Sequence, residues 1–444
     1  MARAAKKTGN GAPNSEGLGQ PGTRGLKTTS RIRPTWRALV ALLLGGMSLV
    51  FAYSFGRREY LVVGCLAILL PVVGLLYVRL RRPKFEVTRL FSPPVVSVGG
   101  VTQVRLRIRN LGGSASTGLV WDDALPWFEP VETRELPSIG VRRTTPYVAT
   151  YDLHPPRRGI YPVGPFVVEH EDPFGFATST LAIGKPERLI VVPAVSSLTE
   201  GGPNLTDGEG NAHLVQRRVT GNDDDLTTRE YRPGDALRRV HWRASARHGE
   251  LMVRQEEHRS HPDARILVDT RVGGYPDALM DPGFSWSADW ASEGFEWVVR
   301  MTASLGLHLE AAGFRVAIDE TARPQIDAIG EAWHGHRAEG FLTSLAGVQL
   351  LEHTLDRRLV AAPEKGSGPV FAVVGDPEDA TVEWLVKHRR SGDAGYAFLV
   401  AARPGVLDRL QDAGWVCVVA ESLDDPADAW LAASDQSGYV RGSR

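Results

Sequence analysis

Cysteine is nearly absent: 444 residues contain two, Cys65 and Cys417. They lie far apart, one in a long apolar run and one in a strand-like run, which excludes a disulfide framework and a cysteine metal cluster. Such usage fits a reducing compartment. A charge surplus is missing too. Lys and Arg total 51 against 52 Asp and Glu, a formal net charge of −1, so bulk charge gives no attraction to nucleic acid or anionic surfaces. No Gly-x-x-x-x-Gly-Lys-Ser/Thr loop occurs, so P-loop ATP hydrolysis is unsupported. No Gly-x-Ser-x-Gly elbow occurs either. His334 and His336 form a His-x-His pair without an evident third ligand, and zinc needs three or four.

What is present begins with two long apolar runs, Trp36 to Phe55 and Tyr60 to Val78. Each approaches the ~20 residues that cross a bilayer as a helix. Only Gly56-Arg57-Arg58-Glu59 separates them, so residues 36–80 read as a transmembrane hairpin. The first run is too long for a cleaved leader and has no cleavage site after it. Arg24, Lys27, Arg31 and Arg33 precede the hairpin, and Arg79, Arg81, Arg82 and Lys84 follow it. These flanks outweigh Arg57 and Arg58. They predict a two-span cell-membrane protein with its N-terminus and C-terminal soluble domains in the cytoplasm. Residues 1–35 read as a disordered basic tail.

Residues 84–195 alternate short β-rich runs with Gly and Pro. Val101 to Asn110 alternates apolar and polar side chains, as a half-buried strand does. Further runs lie at Gly118–Asp122, Thr145–Leu153, Gly164–Glu169 and Arg188–Val192. The spacing predicts an antiparallel β-sandwich of immunoglobulin-like type. Residues 196–225 read as an acidic linker ending in Asp223-Asp224-Asp225.

Residues 226–262 are rich in arginine. Leu226–Tyr231 predicts a strand, Pro233-Gly234-Asp235 a turn, and Ala236–His248 a short helix with Asp235 as N-cap and Gly249 as C-terminal stop. A further strand follows at Leu251–Gln255. The candidate binding residues are Arg229, Arg232, Asp235, Arg238, Arg239, His241, Trp242, Arg243 and Arg247. Planar guanidinium forks suit a carboxylate, a phosphate or an acidic partner. The same arginines can instead form an internal lattice with Glu230, Asp235 and Glu256. His241 beside Asp235 or Glu230 offers a general base, without an accompanying nucleophile.

Between Arg265 and Ala433, short apolar strands alternate with helical patterns. Arg265–Asp269 is the first strand. Trp290, Trp297, Met301, Leu305 and Leu309 mark a helix from about Trp286 to Gly313. Strands at Phe314–Asp319, Val370–Gly375, Tyr396–Ala401 and Trp415–Ala420 follow, with helices at Phe341–Leu350, Val382–His388, Val406–Ala413 and Pro426–Ala433. The alternation predicts an α/β domain over 263–434 with a mainly parallel sheet. Residues 435–444 form a tail.

Arg229-Glu-Tyr-x-Pro-Gly-Asp235, Arg238-Arg-Val-His-Trp242, Ser245-Ala-Arg247 and Gly249-x-Leu251 resemble the signature of the bacterial family called domain of unknown function 58. Arg158-Gly159-x-Tyr161-x-x-Gly164-Pro165 and Asp172-Pro173-Phe174-Gly175-Phe176 resemble further patterns of it, although the family usually has Leu where Phe176 stands. Both patterns read physically as tight turns. The resemblance implies a C-terminal domain similar to a von Willebrand factor type A fold, whose first strand ends Asp-x-Ser-x-Ser around a divalent cation. Here the sequence is Asp269-Thr270-Arg271-Val272-Gly273. Arg271 and Gly273 replace the serines, which leaves Asp269 and Asp376 as the candidate metal ligands and no cofactor expected. The resemblance also implies a MoxR-type AAA+ ATPase as partner, often with a transglutaminase-like membrane protein. The expected role is a non-catalytic, membrane-anchored interaction or scaffold protein in assembly, maturation or envelope-related processes. The alternatives are a hydrolase built on His241 and its acidic neighbours, and anion or nucleic-acid binding by the Arg cluster. Nucleic acid is not expected, given the interspersed acids.

Overall fold

A computed structural model describes residues 31–113, 115–127, 134–140, 146–199, 203, 228–230, 242–254, 262–280, 290–327, 337–352, 368–389 and 393–441. Strand β1 (Arg31–Pro34) leads into helices α1 (Trp36–Phe55) and α2 (Arg58–Leu80). Both helices are long and apolar enough to cross a membrane. They approach each other at small residues, as membrane helices do. A Cβ on Gly45 would lie 2.7 Å from Ile68, and one on Gly64 would lie 2.8 Å from Leu49. Ser48 donates to the Tyr60 carbonyl at 2.7 Å.

The strands that follow are β2 (Phe85–Ser92), β3 (Val95–Ser97), β4 (Thr102–Asn110), β5 (Leu119–Asp123), β6 (Arg134–Leu136), β7 (Tyr147–Leu153), β8 (Gly159–Val163), β9 (Phe166–Glu171), β10 (Ala177–Ile183) and β11 (Glu187–Val192). They form sheets ordered β1-β10-β9-β5-β6, β2-β4-β7 and β3-β11-β8. One core draws on all three: Leu106 and Ile108 of β4, Trp121 of β5, Phe166 and Val168 of β9, and Leu189 of β11. The alternation in β4 explains the layering. Val104, Leu106 and Ile108 are fully buried while Arg105, Arg107 and Arg109 face solvent. Each buried aliphatic contributes about 1.5–3 kcal/mol.

Two features depart from the sequence expectation. β3 pairs with β11 in parallel, so the pairing is not wholly antiparallel. β1 comes from residues grouped by composition with the tail, and its strand geometry derives from pairing with β10.

Among these sheets, Arg89 and Asp123 form a buried ion pair. Tyr151 donates to Asp123 at 2.5 Å, and burial beside that carboxylate pushes its phenol upward. Gly164 has φ +100°, and a Cβ there would meet the Arg89 guanidinium at 2.6 Å. The Gly-Pro pattern therefore makes room for a buried cation as well as turning the chain.

β12 (Thr228–Glu230), α3 (Trp242–His248) and β13 (Met252–Arg254) precede the C-terminal domain. That domain contains β14 (Asp263–Val268), β15 (Leu279–Met280), β16 (Trp290–Ala291), α4 (Glu293–Ala311), β17 (Arg315–Glu320), α5 (Arg337–Gly347), β18 (Val370–Val374), α6 (Asp379–His388), β19 (Gly395–Leu399), α7 (Pro404–Asp412), β20 (Val416–Val419) and α8 (Pro426–Arg441). Five parallel strands run in the order β17-β14-β18-β19-β20. Counted within the domain this is 2-1-3-4-5, a doubly wound order whose switch point lies between β14 and β18. Helix α4 begins later than its apolar periodicity predicts. Ser292 caps it by accepting from Phe295 N at 3.0 Å, while Trp290-Ala291 pair with Leu279-Met280.

Candidate functional site

The Arg-rich segment is partly visible. Arg232, Asp235, Arg238, Arg239 and His241 lie outside the described residues. Arg229 is in β12, opposite Val253 of β13. Trp242, Arg243 and Arg247 lie on α3. Ser245 pins this helix to β13, accepting from Met252 N at 2.8 Å. Gly249 N donates to Ser245 O at 3.0 Å and, at φ +77°, closes the helix. Trp242 is 68% exposed, and Arg247 also faces solvent. An indole and a guanidinium on one short helix form the kind of surface that dominates protein interfaces.

A second centre occupies the carboxyl edge at the switch point. Asp269 directly follows β14 and is wholly buried. Its Oδ1 accepts from Thr321 Oγ1 at 2.5 Å and from Arg271 N at 3.2 Å. The Arg271 guanidinium, also buried, lies 3.4 Å from the same oxygen. It donates to Thr381 Oγ1 and to Glu378 at 3.4 Å. Tyr275 donates to the Asp269 carbonyl at 2.6 Å. Burial pushes the Asp269 carboxyl above its ordinary range, against the opposing pull of Arg271 and Thr321. The same burial raises Glu320 on the adjoining strand, although Gln325 N and Ile326 N donate to it.

This donor set does not suit a divalent cation. The guanidinium stands against the carboxylate and hydroxyl a metal would use, and hard cations need several free oxygens. A side chain at Gly273 would meet the half-exposed Glu378 carboxylate, which would have to swing aside to admit a serine. Asp376 is not part of the cluster: it pairs with Arg403 at 3.2 Å. Among the described residues, no three His, Cys, Asp or Glu side chains gather as metal ligands.

A third set of contacts joins the two soluble domains. Arg158, in the turn before β8, is buried and donates to the carbonyls of Leu345 at 3.0 Å and Val348 at 2.9 Å. It also pairs with Glu296 of α4 and sits 5.1 Å over the Phe295 ring. Phe295 packs edge-on against Tyr275 at 5.3 Å, so a continuous set of contacts runs from Arg158 to Asp269. Tyr161 donates to the Arg157 and Arg158 carbonyls. Beyond β11, Ser196 N bonds Ser304 Oγ at 2.9 Å, and Thr199 O accepts from Trp430 at 3.0 Å. Sequence reading took Arg158 for a turn residue. Two of its partners are backbone carbonyls, which no side-chain motif announces. Thr321 and Thr381 were likewise missed, because isolated threonines carry no pattern.

Residues 227–273 match the family described as Protein of unknown function DUF58. The match supports that family. It runs from β12 to the turn holding Asp269 and Arg271, so the DUF58 stretch links the exposed helix to the buried centre. The CARDB domain of the PF1109 protein from Pyrococcus furiosus, crystallised with di-metal ions, is 17% identical over 23% of this chain and 90% of its own, with a TM-score of 0.17. A likeness at that score carries no argument. No curated protein matches the chain.

Proposed function

We propose that the chain is a membrane-anchored, non-catalytic docking protein whose DUF58 stretch presents α3 to an acidic partner. The observation that carries this reading is Trp242, 68% exposed, with solvent-facing Arg247 on the same short helix. The buried centre supports it, because Arg271 spends its guanidinium on Asp269, Thr381 and Glu378. The hydrolysis reading rests on His241, which lies outside the described residues, and nucleic-acid binding has no charge surplus behind it.

The partner implied by the resemblance is a MoxR-type AAA+ ATPase, with a transglutaminase-like membrane protein as a further component of assembly, maturation or envelope-related work. The spans would hold both soluble domains in the cytoplasm, as the Lys/Arg bias suggests. In this reading the C-terminal domain is von Willebrand factor type A-like, with Arg271 standing in for the cation, and the β domain is immunoglobulin-like.

The test is a crosslinking pull-down from native membranes, comparing wild type with Trp242→Ala/Arg247→Glu. Capture of an AAA+ ATPase by wild type, lost in the variant with folding intact, is the expected result. Equal capture by both refutes the docking surface.

A further inference from the structure

The Asp172-Pro173-Phe174-Gly175 turn has a place in the molecule that turn chemistry does not explain. Asp172 organises it: its carboxylate accepts from Phe174 N at 2.9 Å and from Ala177 N at 2.5 Å. That folded turn then packs on the helical hairpin. A Cβ on Gly74 of α2 would lie 3.0 Å from the Asp172 carboxyl carbon, and a Cβ on Gly175 would lie 2.7 Å from Arg37 Nη1. Thr35, just before α1, donates its hydroxyl to Gly175 O at 2.6 Å and its N–H to Phe176 O at 2.9 Å. The Tyr77 and His170 rings lie 5.8 Å apart. The turn is thus held by both helices.

The depth of the turn follows from helix geometry. Gly45 and Gly64 face each other across the hairpin. Trp36 lies nine residues before Gly45. At 1.5 Å per residue this is about 13 Å toward the open end. The same step along antiparallel α2 reaches Val73, next to Gly74. The turn is therefore level with the first residue of α1. Helix α1 has 20 residues, about 30 Å of length, which equals the hydrocarbon thickness of a bilayer. Its first turn then lies at the boundary between acyl chains and headgroups. Phe174 is 54% exposed at this level, with Phe176 at 6.3 Å. Arg31 and Arg33 precede Trp36; past the turn's level come Arg79, in the last turn of α2, and Arg81, Arg82 and Lys84 just beyond the helix.

We infer that the Asp172–Gly175 turn is a lipid contact, with the Phe174 ring inserted at the headgroup–acyl boundary. An apolar ring gains by burial at this layer, as Phe and Leu do on interfacial helices, and here it sets the β domain against the membrane surface. The inference rests on the reading of α1 and α2 as membrane spans.

The test is a nitroxide depth measurement on the full chain in nanodiscs of phosphatidylcholine with a minority of phosphatidylglycerol. A Cys65→Ala/Cys417→Ala background carries one label at a time, at Phe174→Cys, Leu66→Cys or Leu423→Cys. Leu66 lies on the exposed face of α2, and Leu423 is 83% exposed in the C-terminal domain. The expected ratio of oxygen to nickel-chelate collisions is highest at 66, lowest at 423, and severalfold above 423 at position 174. If 66 is deep while 174 matches 423, the inference falls and the spans stand. If 174 is shielded from both reagents, protein covers it and the inference also falls. If 66 reads as aqueous, the spans and the inference fall together.

Discussion

Arg271 and Asp269 decide most of what the carboxyl edge can do. Their side chains are 5% and 0% exposed. Removing one member of a buried pair typically costs about 3–5 kcal/mol, so Arg271→Ala should destabilise the C-terminal domain by that amount. Denaturant unfolding in detergent measures it. A change under about 1 kcal/mol would mean that the pair contributes little. The pH dependence is separately testable. Burial raises the folded-state Asp269 carboxyl above its ordinary value, so between the unfolded and folded values the folded state holds more protons. This residue's contribution is present below about pH 3.9 and is lost as pH rises through the folded value. Asp269→Asn removes that dependence. Acidification from neutral pH should therefore raise the thermal midpoint of wild type relative to the variant. The opposite trend would show that attraction to Arg271 outweighs desolvation.

At the scale of elements, the Arg158 turn joins the β domain to the start of α4 and the end of α5. Arg158→Ala would leave the Leu345 and Val348 carbonyls unpaired, at about 1–3 kcal/mol for each orphaned buried group. Arg158→Lys should rescue only part of the loss, because one ammonium replaces three separate nitrogens that reach Leu345 O, Val348 O and Glu296. Calorimetry should resolve two unfolding transitions in the alanine variant where wild type shows coupled unfolding, and an unchanged profile would place the coupling elsewhere.

Elements of this kind were unevenly legible. The alternation of β4 and the apolar runs of β14, β18 and β19 appear directly in the residues, because burial on one or both faces writes itself into local pattern. The parallel β3–β11 pair and the strand at Arg31–Pro34 do not. Their geometry comes from partners far along the chain, and three or four residues carry too little periodicity. Asp269 was legible from its motif. Thr321, just after β17, and Glu378 and Thr381, at the start of α6, were not, since they arrive from two segments far along the chain.

At the scale of the whole molecule, the same three motifs divide the work. Asp172–Gly175 faces the hairpin, Arg158–Gly164 holds the core of the β domain and its junction with the C-terminal domain, and the DUF58 stretch ends in the buried pair while exposing Trp242. On the proposed docking reading, a partner would bind at α3 rather than at the sheet edge. Replacing Trp242 with a photoreactive benzoylphenylalanine in native membranes tests this most directly. Irradiation is predicted to yield one dominant adduct containing an AAA+ ATPase, absent when the same group replaces Leu423. Folded protein that gives only intrachain products at position 242, or the same adduct from position 423, would contradict the account.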